Sequence, residues 1–363
     1  MAEKIYSADS HITEHPDTYR KYIDPAFRDR APHLVRGDES DVYVIPDMQN
    51  AVLPMGLIAA AGQRGDQMKL TGRFEEWHRG GWDPEARLAD QDRDGVAGEI
   101  LYPTVGMVLC GHTDFAFKKA CMDAYNRWLA EYCSAHPDRL FGVGQTAMRS
   151  PAEGIADLEA IKALGMRGVM LPGRPAQADY DSPIYDPFWE AAIELGLPLS
   201  FHILTDTQDF ARPSRSPVMN HAVAIIRGNQ DIISMLVFGG VFERHPRLRI
   251  VCVEADAGWL PHWAYRMDHY YDRHRYMRAA TLSKMPSDYV RENVYVTFQD
   301  DWVAFRMVDL VNPARLMWAN DFPHSDSTWP WSQDVLRTHA AHLSEAQRDM
   351  ILHDNVAALY GLE

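Results

Sequence analysis

Eight short apolar runs alternate along this chain with longer segments of helical periodicity, and this rhythm limits the possible folds more than any other property. Short apolar runs predict strands, and apolar residues spaced by three and four positions predict amphipathic helices. The predicted strands lie near Ile5–Asp9, Glu99–Pro103, Leu140–Gln145, Gly168–Leu171, Leu199–His202, Arg249–Glu254, Val294–Phe298 and Leu316–Ala319. The predicted helices are Pro84–Asp94, Asp114–Ala135, Pro151–Leu164, Pro187–Leu195, Val218–Arg244, Trp259–Leu282, Asp300–Val311 and Ser344–Leu362. Strands that alternate with helices form crossover units in a parallel sheet, and eight such units favour an α/β fold, the closed (β/α)₈ TIM barrel.

The alternation of strands and helices is interrupted over residues 24–82, where the sequence is rich in Gly, Pro and Asp. We expect this stretch to be an insertion after strand one that covers the barrel mouth, with a strand at Val42–Ile45. The 363 residues then form a single TIM-barrel domain. An open doubly wound sheet is the alternative, but that fold usually carries a glycine-rich phosphate-binding turn after its first strand. Strand one of this chain leads into Ser10–Glu14, which contains no glycine.

Composition and charge argue against several classes of function. A formal net charge of −15 disfavours binding to nucleic acid, because an acidic surface repels phosphate. No apolar run approaches the roughly 20 residues that cross a bilayer. The N-terminus lacks a secretory pattern, so we expect a cytoplasmic protein without a membrane partner. The four cysteines, at positions 110, 121, 133 and 252, form no C-x-x-C pair and predict small buried side chains rather than a zinc-thiolate site.

Side chains that bind metals stand at the ends of four predicted strands. Strand one ends in the motif Asp9-x-His11, strand five in His202 and strand six in Glu254, and Asp321 follows strand eight. Residues two apart on a strand point to the same side, so Asp9 and His11 can both face the barrel axis. The carboxyl ends of the strands form the functional face of such a barrel. Mixed nitrogen and oxygen ligands at this face predict a site for one divalent metal ion, Zn²⁺, Mn²⁺ or Fe²⁺.

Longer motifs accompany these strand ends. They are Ala8-Asp9-Ser10-His11, Leu199-Ser200-Phe201-His202, Gly239-Gly240-Val241-Phe242-Glu243-Arg244-His245-Pro246, Trp318-Ala319-Asn320-Asp321-Phe322-Pro323-His324 and Asp354-Asn355-Val356-Ala357-Ala358-Leu359-Tyr360-Gly361. In their order and spacing the sequence resembles the amidohydrolase superfamily over nearly its whole length, in the branch of aminocarboxymuconate-semialdehyde and resorcylate decarboxylases. The resemblance implies that Asp9, His11, His202 and Asp321 bind one metal and that Asp321 also moves a proton. It implies hydrolysis or non-oxidative decarboxylation of a small carboxylated or aromatic molecule.

The chain departs from the best known decarboxylases of this branch at strand six. Those enzymes carry a histidine acid–base there, whereas this chain has Glu254, which we interpret as a metal ligand or a general base. His324, in the motif after strand eight, is predicted to hydrogen-bond a ligand or to touch the substrate in catalysis. Arg174 is predicted to pair with a substrate carboxylate, and Trp259 and Trp302 are predicted to line an apolar substrate pocket.

A second metal ion is an alternative that the residues leave open. Some members of the superfamily bridge two metals with a carboxylated lysine after strand four, but no lysine lies near residues 172–174. Glu14 and His221, together with Asp9 and Glu254, could hold a second ion instead. A small branch of the superfamily resembles this pattern and uses two iron or manganese ions, which would make the protein a dinuclear monooxygenase. A non-catalytic partner subunit is a further alternative. We expect either a homo-oligomer or a hetero-oligomer with a related barrel.

Overall fold

The computed structural model describes residues 4–48, 52–206, 220, 223–277 and 282–362. Eight of its strands are β1 (Tyr6–His11), β5 (Gly98–Tyr102), β6 (Leu140–Gln145), β7 (Gly168–Met170), β8 (Leu199–His202), β9 (Ile250–Val253), β10 (Val294–Phe298) and β11 (Leu316–Trp318). They form one parallel sheet in this order, with each strand hydrogen-bonded to the next. The predicted (β/α)₈ TIM barrel is confirmed, and β6, β8 and β10 have the predicted bounds.

Helices follow the strands and cover the outer face of the sheet. The α-helices after the insertion are Pro84–Asp94, Val105–Leu109, Phe115–Ser134, Pro151–Ala163, Asp186–Leu195, Arg227–Phe238, Val241–Arg244, Leu260–His274, Pro286–Asn293, Trp302–Arg306, Ser332–His339, Glu345–Asp349 and Asn355–Tyr360. Residues 218, 219, 221 and 222 of the predicted helix Val218–Arg244 lie outside the described residues. From Arg227 onward the chain forms two helices separated at Gly240, where φ is 71°. The prediction of one helix over Asp300–Val311 is wrong, because the chain forms a short helix and then a 3₁₀ turn at Val308–Leu310.

Local capping explains why several helices begin or end at the predicted residues. Ser150 accepts a hydrogen bond from the backbone nitrogen of Glu153 at 3.2 Å, which satisfies a free donor of the first turn. Gly196 ends the helix Asp186–Leu195 with φ 62°, a conformation that glycine adopts at low cost. Tyr185 occupies the cap position at the start of this helix, which therefore begins at Asp186, one residue before the predicted Pro187.

All residues of the eight barrel strands are buried, as expected for a parallel sheet covered by helices. Alternate strand residues fall into two apolar clusters, because successive side chains point to opposite faces. The smaller cluster contains Tyr102, Val143 and Val253, and the C-terminal helix adds Tyr360 to it. The hydroxyl groups of Tyr102 and Tyr360 are 3.2 Å apart, so this helix packs against the inward-facing side chains of the strands.

The first and last barrel strands meet through hydrogen bonds just beyond the ends of the ladders. The backbone nitrogen of Asp321 donates to the carbonyl of Asp9 at 3.0 Å, and that of His11 donates to the carbonyl of Phe322 at 2.7 Å. Asn320 strengthens this seam, because its side-chain oxygen accepts from the Ser10 hydroxyl at 2.8 Å. Three residues predicted to bind metal therefore lie along one seam.

The predicted insertion contains a separate antiparallel sheet of three strands, β2 (His33–Arg36), β3 (Asp41–Val44) and β4 (Val52–Pro54). The part of the insertion that follows this sheet contacts the loops at the carboxyl ends of β1 and β11. Thr13 donates to the Gly81 carbonyl at 2.9 Å, and Ala61 donates to the Pro323 carbonyl at 3.1 Å. These contacts support the proposal that residues 24–82 belong to the barrel domain and lie over its mouth. Among the described helices, none is long and apolar enough to span a membrane.

Candidate metal centre

Four barrel strands bring carboxylate and imidazole groups together at one end of the barrel. Asp9 and His11 lie on β1, His202 ends β8, Glu254 follows β9 and Asp321 follows β11. Asp9, His11, His202 and Asp321 are no more than 1% exposed, and the Glu254 side chain is 15% exposed. The centre is therefore buried, with Glu254 as its most exposed member.

The candidate ligand atoms lie as close together as the ligands of a metal ion do. His11 Nε2 lies 3.4 Å from Asp9 Oδ1 and 3.4 Å from Asp321 Oδ1. His202 Nε2 lies 3.2 Å from His11 Nε2 and 3.3 Å from Glu254 Oε2. Ligands that each sit about 2.1 Å from one ion lie about 3.0 Å apart in an octahedral arrangement and about 3.4 Å apart in a tetrahedral one. The observed separations fall within this range.

Backbone carbonyls fix which ring nitrogen of His11 and His202 faces the centre. His11 Nδ1 lies 2.9 Å from the Pro103 carbonyl, and His202 Nδ1 lies 3.1 Å from the Ile203 carbonyl. A carbonyl only accepts, so in the neutral form of each ring Nδ1 carries the hydrogen and Nε2 presents a lone pair. Two lone pairs 3.2 Å apart repel each other unless a cation lies between them. This arrangement is typical of histidines that bind a metal.

The carboxylates provide an independent test of the fit. Within the described part of the chain, both oxygens of Asp9 and both oxygens of Asp321 are buried without a hydrogen-bond partner. Buried carboxylate oxygens without donors are costly, and a divalent ion would satisfy them. Burial, and then the charge of Asp9, raises the pKa of Asp321 well above its usual range. Burial, and then the charge of Asp321, does the same for the pKa of Glu254. The residues present therefore fit a divalent metal.

The backbone is strained at two of these positions. Glu254 has φ 55° and Asp321 has φ 56°, in the left-handed region that residues with a side chain rarely adopt. Non-glycine residues in this region cluster at functional sites, where the surrounding structure holds them in place. Each strained residue directs a carboxylate into the buried cluster, so the strain coincides with the candidate ligands.

His324 joins the centre from the loop that carries Asp321. Its Nδ1 lies 3.1 Å from Asp321 Oδ1, and its ring stacks on His11 with centroids 3.9 Å apart. Burial, and then the charge of His202, lowers the pKa of His324 to about 3. Two groups of four potential ligands result, Asp9-His11-His202-Glu254 and His11-Glu254-Asp321-His324. They share His11 and Glu254, so they form one compact cluster.

Glu14 lies outside this cluster, contrary to its prediction as a ligand. Its carboxylate accepts from the backbone nitrogens of Thr104, Val105 and Gly106 at 3.2, 3.0 and 3.2 Å. Burial raises the pKa of Glu14 to about 7, although these backbone hydrogen bonds lower it. The three donors lie at the start of the helix Val105–Leu109, so Glu14 caps this helix. His221, the other residue predicted for a second metal, lies outside the described residues.

The structure does not bring the predicted substrate-binding residues into the cluster. The Arg174 guanidinium pairs with Asp206 at 2.9 Å and is 46% exposed. The indole nitrogen of Trp259 donates to the Ala255 carbonyl at 2.6 Å. Trp302 begins the helix Trp302–Arg306 and is 59% exposed. Their roles toward a substrate stay predictions.

Arg87, which no sequence pattern singled out, is fully buried and supports the centre from outside. Its guanidinium donates to the carbonyls of His11 at 2.6 Å and Phe322 at 3.3 Å, and pairs with Glu99 at 2.5 Å. Arg87 thus contacts the backbone on both sides of the seam. Its position in a polar helix gave no signal, because a charged residue there is expected on the surface.

A parallel barrel with a buried cluster of imidazoles and carboxylates at the carboxyl ends of its strands defines a metal-dependent barrel enzyme. The sequence matches the amidohydrolase family over residues 10–362, and the chain belongs to that family. It is 27% identical to gamma-resorcylate decarboxylase of Rhodococcus jostii (strain RHA1) over 263 residues, which are 66% of this chain and 75% of the relative.

Two solved structures share the fold. An amidohydrolase of Mycobacterium avium subsp. paratuberculosis K-10 superposes with a TM-score of 0.81 at 19% identity, covering 99% of this chain and 100% of the other. A 5-carboxyvanillate decarboxylase of Novosphingobium aromaticivorans DSM 12444, crystallised with manganese and 4-hydroxy-3-methoxy-5-nitrobenzoic acid, superposes with a TM-score of 0.69 at 19% identity, covering 99% and 96%. The chain is an enzyme with a divalent metal, and the non-catalytic and oxygenase alternatives gain no support from these comparisons.

Proposed function

We propose that the protein is a non-oxidative decarboxylase of a small aromatic or otherwise unsaturated carboxylate. The observation that carries this proposal is the placement of two carboxylates in the buried cluster, with Asp321 Oδ1 3.4 Å from His11 Nε2 and Glu254 Oε2 3.3 Å from His202 Nε2, where a proton-carrying group and a metal would stand side by side. The relatives named as decarboxylases support the same reaction. Decarboxylation breaks the bond between the carboxyl group and the ring carbon, releases CO₂ and leaves an electron pair that takes up a proton.

The proposed ligands of the metal are Asp9, His11, His202 and Asp321, with Glu254 as a further ligand or as an acid–base. We propose one ion per chain, because the two groups of ligand atoms share residues and Glu14 is engaged elsewhere. Manganese is our first candidate, ahead of zinc and iron, since a relative of the same fold was crystallised with manganese. A divalent ion held here would polarise substrate oxygens as a Lewis acid.

The protein's own residues would position the substrate and supply the proton. Asp321 moves the proton to the ring carbon, and Glu254 assists from the exposed side of the cluster. Trp259 and Trp302 are proposed to contact the ring of the substrate, and Arg174 its carboxylate once the guanidinium is released from Asp206. We also keep the predictions of a cytoplasmic location and of an oligomer of identical or related barrels.

Product analysis tests this function. Protein loaded with Mn²⁺ or Zn²⁺ is incubated with a panel of benzoates that carry a hydroxyl beside the carboxyl group, and the arene and CO₂ are quantified. In D₂O the product should carry deuterium at the carbon that lost the carboxyl group. Hydrolysis of a matched panel of amides and lactones without any decarboxylation would replace the proposal with a hydrolase. Consumption of O₂ during turnover would restore the oxygenase alternative.

A further inference from the structure

Thr104, directly after the second barrel strand, connects the strand-one loop to His324. Its hydroxyl lies 2.6 Å from the Ile12 carbonyl and 3.0 Å from His324 Nε2. Thr104 is 1% exposed and His324 is 7% exposed, so these groups meet in the buried interior. The helix cap formed by Glu14 holds the backbone nitrogen of Thr104 at 3.2 Å, which fixes where the hydroxyl sits.

A single hydroxyl hydrogen decides the direction of both contacts. The Ile12 carbonyl can only accept, so the Thr104 hydroxyl donates its one hydrogen to that oxygen. The same hydroxyl must then accept from His324, which places the ring hydrogen on Nε2. The other nitrogen of His324, Nδ1, therefore presents a lone pair. That lone pair faces Asp321 Oδ1 at 3.1 Å, and both are electron-pair donors.

We propose that His324 is a ligand of the metal through Nδ1 and that Thr104 is the positioning residue that fixes its tautomer. The same arrangement then holds for three histidines, His11, His202 and His324. In each, the ring nitrogen that points away from the centre donates a hydrogen bond to a backbone or side-chain oxygen. Such outer contacts orient the ring of a metal-bound histidine and set its tautomer. The inference rests on the metal of the proposed function but not on the reaction.

Counting histidine ligands by NMR tests the inference directly. Protein labelled with ¹⁵N-histidine is loaded with ¹¹³Cd²⁺, and scalar couplings between cadmium and ring nitrogens are recorded. We expect three coupled histidines, two through Nε2 and one through Nδ1, with the third assigned by its loss in His324→Phe. Two coupled histidines only, or a His324 ring with its hydrogen on Nδ1, would overturn the proposal.

A double-mutant cycle shows whether Thr104 acts through His324. Thr104→Val should weaken Zn²⁺ binding, measured by competition with a chromophoric chelator, by about 10-fold or more. Thr104→Ser keeps the hydroxyl and should restore affinity. In the His324→Phe background, Thr104→Val should change affinity by less than about twofold. An equal effect in both backgrounds would mean that Thr104 acts through the Ile12 contact instead, and the proposal would fail.

The proposed function and the assignment of His324 as a metal ligand can be refuted independently of each other. Three coupled histidines in a protein that decarboxylates no substrate would refute the proposed function and leave the ligand assignment intact. Decarboxylation by a protein with two coupled histidines would refute only the role of His324. If Thr104→Val does not fold, the wild-type coupling pattern and the Thr104→Ser affinity still decide the question.

Discussion

The Nε2 atoms of His11 and His202 lie 3.2 Å apart, although 191 positions separate the two residues in the sequence. In the neutral form of each ring neither atom carries a hydrogen, because the carbonyls of Pro103 and Ile203 hold the hydrogens on the opposite side of each ring. The arrangement is thus set before a metal arrives. A preorganised pair of this kind lowers the reorganisation needed for binding and keeps the ligands in place during turnover.

Removing either histidine should abolish stoichiometric metal binding. His11→Ala and His202→Ala each delete one nitrogen ligand and leave the buried carboxylates without their shared cation. We expect a folded barrel by circular dichroism and loss of metal by elemental analysis. His136→Ala, which removes a histidine paired with Glu85, is the control and should keep its metal. One ion per chain in both site variants would contradict the assignment.

Replacing Glu14 should affect stability rather than metal content. Both carboxylate oxygens of Glu14 accept hydrogen bonds from the three backbone N–H groups. The amide in Glu14→Gln has only one oxygen, so at least one of these buried N–H groups loses its acceptor. Such a loss costs about 1–3 kcal/mol of unfolding free energy. Denaturant unfolding measures this cost, and elemental analysis should show unchanged metal. A reduced metal-to-protein ratio would support the alternative in which Glu14 binds a second metal ion.

Metal affinity should rise with pH across the neutral range. In the metal-free protein burial raises the pKa values of Asp321 and Glu254 well above their usual range. Burial lowers the pKa of His202, but the hydrogen bond to Asp9 and then the charge of Asp9 outweigh it, so this pKa is raised as well. These groups therefore carry protons below their raised pKa values, and binding must displace them. Affinity should change by up to about tenfold per pH unit for each proton displaced.

Calorimetry can verify this linkage. Zn²⁺ titrations in buffers of different ionisation enthalpy report the number of protons released on binding. We expect net release near pH 7 and weaker binding at lower pH. An affinity independent of pH, with no proton release, would mean that the carboxylates are already ionised in the free protein.

Asp321→Asn should separate proton transfer from binding. The amide keeps the shape of the side chain and one oxygen, but it cannot carry the proton. We expect turnover to fall by about 10²–10⁴-fold, the range typical of a lost acid–base group. Metal content and the dissociation constant of a substrate analogue should stay near the wild-type values. Turnover within a factor of a few of wild type would assign the proton to Glu254 instead.

The sequence alone determined the parts of this protein that depend on local patterns. The alternation of apolar runs with helical periodicity predicted all eight strands, because strand burial and helix amphipathicity leave a direct periodic signal. It also predicted Asp9, His11, His202, Glu254 and Asp321 as groups at strand ends, which the structure brings together. A parallel barrel places all its carboxyl strand ends at one mouth, so position along the chain was enough for these five.

The tertiary structure decided what each neighbouring group does. Glu14 stands three residues after His11 and looked like a ligand, but its partners come from a helix about ninety residues later. Thr104 carried no signal of its own, because its role arises only where two loops meet. The direction of a hydrogen bond depends on which acceptors surround a donor in space. Which ring nitrogen of His324 faces the metal is therefore a property of the folded chain and not of its sequence pattern.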